Sequence, residues 1–105
     1  MDEKLIAKIL LDKPHKIIVK DILKKYLKFN KTSVWIFGSR ANGSPRSDSD
    51  LDLLFDPPLS LAIRAKLTED FEESKLPFEV DLVNRVDLAE AYKIQIEDNK
   101  ILLHY

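Results

Sequence analysis

Two short elements of the chain carry residue types that could do chemistry together: Gly38-Ser39 and, after ten intervening residues, Asp50-Leu51-Asp52. The first closes an apolar run, Val34-Trp35-Ile36-Phe37, and the second opens another, Leu53-Leu54-Phe55. Glycine at a strand end lets backbone approach a ligand closely, and the amides that follow can point at phosphate oxygens. If Ser39-Arg40-Ala41 begins a helical turn, its amino-terminal end favours anions and the Ser39 hydroxyl adds a donor. Alternation along a strand would aim Asp50 and Asp52 at one face. Carboxylates so close repel unless a cation stands between them, and magnesium takes one or two carboxylates plus substrate phosphates. Such a pair of elements is equipped to hold a nucleoside triphosphate through a divalent metal.

Neither element is specific alone: Asp-x-Asp at a loop–strand junction can simply be solvated, and Gly-Ser is an ordinary turn. A third carboxylate completes the requirement. Asp81 interrupts the apolar segment Phe78-Glu79-Val80-Asp81-Leu82-Val83, where an aspartate is unfavourable without a role. On a strand beside Asp50 and Asp52 it could complete a metal-binding triad or accept the proton of an attacking hydroxyl. Glu79 and Asp48 are its rivals; Asp81 is preferred because a short carboxylate in mid-strand suits metal ligation better. Arg40 and Arg46 lie inside the motif loop and could neutralise phosphate charge or form structural salt bridges. His15 and His104 each stand alone near a chain end and are expected at the surface. No Gly-x-x-x-x-Gly-Lys or Gly-x-Gly-x-x-Gly occurs, which excludes a P-loop or a dinucleotide-binding turn.

The elements that must position these residues follow from periodicity. Leu5, Ile6, Ile9 and Leu10 repeat at helical spacing before Asp12-Lys13-Pro14, and proline suits the first turn of a second helix. That helix would turn Ile18, Ile22, Leu23, Tyr26, Leu27 and Phe29 inward. Lys16, Lys20, Lys24 and Lys28, at a spacing of four, read as its solvated face. Thr32–Phe37 and Asp50–Phe55 are expected strands joined by a loop from Ala41 to Asp48, with Trp35 and Phe37 in the core. A helix from Leu59 to about Lys75, packing through Leu61, Ile63, Leu67 and Phe71, precedes the strand Phe78–Val83. Asp87 would cap a last helix reaching about Glu97, followed by a short apolar tail, Ile101–Tyr105. The expected fold is α+β, a small mixed sheet flanked by helices, in a single domain over residues 1–105.

Composition narrows the classes. With 17 Lys and Arg against 18 Asp and Glu the net charge is −1, which lacks the positive surplus of a general nucleic-acid binder. The absence of cysteine excludes disulfides, thiolate metal sites and cysteine nucleophiles. No apolar run approaches the about 20 residues of a membrane span, nor does the amino terminus look like a signal peptide; a cytoplasmic location is expected.

The stretch Gly38-Ser-Arg-Ala-Asn-Gly-Ser-Pro-Arg-Ser-Asp-Ser-Asp-Leu-Asp-Leu53 resembles the signature of the DNA polymerase β-like nucleotidyltransferase superfamily: Gly-Ser, a spacer of some ten residues, Asp-x-Asp, and a later aspartate on another strand. The whole chain looks like the minimal nucleotidyltransferase, or MntA-type, branch. The resemblance covers the central half through Asp81, and the terminal helices match in general character only. It implies that Gly38 and Ser39 bind the triphosphate of ATP, that Asp50 and Asp52 hold two Mg2+ ions, and that Asp81 is the third ligand and base. It also implies an antitoxin that transfers AMP to a tyrosine of a HEPN-family toxin. The small size suggests that a partner completes the acceptor site, and homo- and hetero-oligomers both stay open. The competing readings are a non-catalytic antitoxin that acts by binding, and a small-molecule transferase of the aminoglycoside-modifying kind.

Overall fold

The computed structural model describes residues 11–28, 31–41 and 49–105. The helical reading of Leu5–Leu10, the packing of Phe29, and the loop positions Arg46 and Asp48 lie outside the described residues. The order is α1 (Lys13–Leu27), β1 (Ser33–Phe37), a 3₁₀ turn (Gly38–Arg40), β2 (Leu51–Asp56), α2 (Leu61–Glu73), β3 (Val80–Asn84), a second 3₁₀ turn (Arg85–Asp87), α3 (Glu90–Asn99) and β4 (Ile101–Leu102). The strands form one mixed sheet in the order β3-β2-β1-β4. The β1–β2 and β1–β4 pairs are antiparallel and the β2–β3 pair is parallel. This is the α+β architecture expected from the pattern.

Alternation explains how the sheet is used. Val34 and Ile36 of β1, with Leu51, Leu53 and Phe55 of β2 and Leu82 of β3, join one buried cluster with Val19, Leu23 and Leu27 of α1 and Leu67 and Phe71 of α2. Side chains two apart share a face, so Trp35 and Phe37 belong to the opposite face. They are half-buried there, which corrects the expectation that both are core. Asp52 and Asp81 share that second face by the same parity.

Helix boundaries follow local signals, with two exceptions. Ser60 caps α2, its hydroxyl accepting from the Ile63 amide at 3.2 Å, but Leu61 in the first turn points to solvent at 86% exposure and does not pack. Asp87 caps no helix: the Leu88 amide donates to the Arg85 carbonyl at 3.2 Å, closing a 3₁₀ turn. Extended backbone at Leu88 and Ala89 then delays α3 to Glu90. The apolar tail is the fourth strand. Ile101 and Leu102 pair with Ile36 and Trp35, Leu103 is buried, and the Tyr105 hydroxyl donates to the Thr32 carbonyl at 2.5 Å. No described helix is long and apolar enough to cross a membrane.

Candidate active site

Gly38 is where the local backbone and the site meet. It follows β1 with φ +74°, a left-handed conformation that L side chains rarely adopt. A Cβ built on it would collide with Oδ2 of Asp52 and stand 3.3 Å from its Cγ. The cause is register: Phe37, the last residue of β1, pairs with Asp52 in the antiparallel ladder, so the next residue turns directly over the carboxylate. The Ala41 amide donates to the Gly38 carbonyl at 3.0 Å, closing the 3₁₀ turn through Ser39 and Arg40.

The parallel pair β2–β3 supplies the second carboxylate. Asp52 and Asp81 are Cα partners. Burial first, then the charge and hydrogen bonding of Asp81, and last the charge of Asp50, push the half-buried Asp52 carboxyl up to about 6. Asp50 lies one residue before β2, is exposed, and adds its negative charge to the surroundings of Asp52. The three carboxylates are accordingly a register pair with a third acting through charge. Among the described residues, no three acidic or imidazole side chains stand together as a ready-made ion site. The donor set still fits a hard cation, because its oxygens crowd one another and Asp52 resists ionising beside them. Glu79 precedes β3, and its backbone carbonyl accepts from the Leu51 amide at 2.9 Å; its side chain is exposed.

The pair opens on a cleft of about 830 Å³ bordered by Phe37, Asp52, Arg64, Phe78, Asp81 and Val83, within the range of small-molecule sites. Arg64 also caps the sheet edge there, donating from Nη2 to the Leu82 carbonyl at 2.6 Å. Two features had no signal in the periodicity. Arg40 is buried, at 5% exposure, and its burial lowers its pKa. His15 is half-buried rather than at the surface, with its ring edge-on to Phe78 at 5.5 Å.

Comparison with known proteins joins this geometry to a family. The model of the nucleotidyltransferase domain matches residues 16–103. The chain belongs to the nucleotidyltransferase domain family. Within it, this nucleotidyltransferase falls in the minimal, MntA-type branch. It is 40% identical over 78 residues to a Haemophilus influenzae protein assigned as the protein adenylyltransferase MntA, an alignment spanning 72% of this chain and 67% of that protein. A solved toxin–antitoxin structure with AMP-PNP superposes with a TM-score of 0.64 at 22% identity, over 85% of this chain and 72% of that one. That likeness is one of fold. A structure described as a candidate minimal nucleotidyltransferase gives 0.61 at 29% identity, over 85% of this nucleotidyltransferase and 89% of that chain.

Proposed function

We propose that this nucleotidyltransferase transfers AMP from ATP to a hydroxyl of a partner protein, a tyrosine of a HEPN-family toxin, and so acts as the antitoxin of a pair in the cytoplasm. The observation that carries the reading is the close approach of the Gly38 turn to Asp52, which sets the backbone of that turn against the acidic pair. The protein-adenylylating assignment of the Haemophilus influenzae relative supports the acceptor class, and the toxin–antitoxin neighbour supports the partner class.

In this reading the backbone amides after Gly38 and the Ser39 hydroxyl cradle the triphosphate, with Arg46 as a further phosphate contact. Asp50, Asp52 and Asp81 are the candidate ligands of two magnesium ions, which when bound supply charge neutralisation on the triphosphate and acidify the acceptor hydroxyl. The acceptor oxygen attacks the α-phosphorus and forms the new P–O bond as the α–β bridging bond breaks, and pyrophosphate leaves. The hydroxyl proton passes to the Asp81 carboxylate.

The test uses α-labelled ATP, magnesium and a lysate of the source organism, with native protein beside Asp52→Asn. A discrete labelled protein band obtained with native protein alone supports transfer and supplies the acceptor for identification. No label with any divalent metal, while both versions retain the same co-purifying protein, sinks the catalytic reading in favour of an antitoxin that acts by binding.

A further inference from the structure

Three segments of the site converge on one buried side chain. From the 3₁₀ turn after β1, Arg40 donates through Nε to the Ser49 carbonyl at 3.0 Å, immediately before Asp50. Its guanidinium lies over the Phe78 ring, 4.2 Å from the centroid. Phe78 precedes Glu79, whose carbonyl accepts from the Leu51 amide. The same ring takes the edge of His15 from α1. Arg40 therefore touches the turn that carries Gly38, the entry of β2 that carries Asp50 and Asp52, and the approach to β3 that carries Asp81.

We infer that Arg40 is a positioning residue: it sets the phosphate-binding turn and the acidic strands relative to one another through Ser49 and Phe78, rather than serving as a ligand of the triphosphate. Several features favour this. A planar guanidinium can stack on an aromatic face while donating in its own plane, which an ammonium cannot do. Desolvation of a charge is tolerated when such partners compensate it, and the negative charges of Asp12 and Asp50 oppose the effect of burial on this group. A phosphate ligand, by contrast, must present its donors to solvent before the nucleotide arrives.

The inference rests on the transfer reading for its kinetic arm only. Arg40→Lys keeps the charge and loses the fork; Phe78→Leu keeps Arg40 and removes its stacking surface. Both are expected to speed amide hydrogen exchange about tenfold or more at residues 39–41 and 50–52, while α1 and α2 keep native protection. Both should lower kcat for labelled AMP transfer by about 10- to 100-fold, as misplacement of reacting groups does, with KM for ATP within about threefold of native. The inference is overturned if Arg40→Lys keeps native exchange and native kcat. It is equally overturned if KM rises about tenfold at unchanged kcat with native exchange, the pattern of lost ground-state binding. Should native protein transfer nothing, the functional reading fails by itself, and the exchange pattern of the two variants still decides the role of Arg40.

Discussion

Asp52 and Asp81 stand opposite one another in the parallel β2–β3 register, and the crowding shows in the ionisation of Asp52. Its carboxyl is raised from 3.8 to about 6 by burial, then by Asp81, then by Asp50. Between those two values the folded protein retains a proton that the unfolded chain has released. Stability therefore falls as pH rises through the window, and the loss is complete above it.

In chelator-treated protein, Asp52→Asn should remove that loss. The expected gain at about pH 7.5 is about 1–2 kcal/mol after allowance for solvent screening at a half-exposed carboxylate, shrinking towards zero near pH 4. Urea unfolding at the two pH values measures it. Added manganese should then raise the melting temperature of native protein more than that of the variant, because ligand binding to the folded state adds stability. Equal native and variant stability at the higher pH would contradict the crowding.

Gly38→Ala should damage stability and chemistry together. The left-handed backbone costs about 1–2 kcal/mol for a residue with a Cβ, and the added methyl collides with Asp52. Transfer is expected to fall by about 100-fold or more, since a misplacement near 1 Å costs about that much. A variant that folds and transfers at the native rate would show that the turn and Asp52 can separate freely.

Asp81 and Glu79 separate cleanly by substitution. Asp81 faces Asp52 in the ladder, whereas Glu79 precedes the strand and contributes its backbone carbonyl to the Leu51 amide. Glu79→Gln keeps that carbonyl and should leave transfer within about twofold, while Asp81→Asn should lower kcat by at least about 100-fold, in the range of lost general-base catalysis. Steady-state rates under saturating ATP decide it, and a reversed order would make Glu79 the third carboxylate.

The carboxyl-terminal segment should behave as core. Leu103 is buried and its amide donates to the Val34 carbonyl at 2.8 Å. Leu103→Ala is expected to cost about 2–4 kcal/mol, read from the urea midpoint, whereas Leu102→Ala at the exposed edge should cost under about 1 kcal/mol. Equal costs would mean that the segment is a loosely held tail.

Much of this was readable in one dimension because the decisive signals are local. A glycine at the end of a β-branched and aromatic run, and aspartates separated by one residue, state a turn and a face without reference to the rest of the chain. Position 87 misled because an aspartate before a polar, helix-forming stretch has the composition of a cap, while Leu88 and Ala89 adopt extended backbone and the helix begins only at Glu90. The tail from Ile101 was too short to signal a strand by alternation, and it became one because β1 had an open edge beside it.

What the amino-acid sequence determined by itself was the mixed α+β class, the family signature and the turn and acidic residues of the candidate site, since residue type and short spacing suffice for each. Tertiary structure alone decided that Asp52 meets Asp81 rather than Glu79, that Asp50 is exposed at the entry of β2, that Trp35 and Phe37 share the face of Asp52, and that Arg40 is buried against Phe78. Each of those depends on segments distant in the chain being brought into one register. That register is set by burial of the opposite sheet face against α1 and α2, a cooperative choice that no short window of sequence contains.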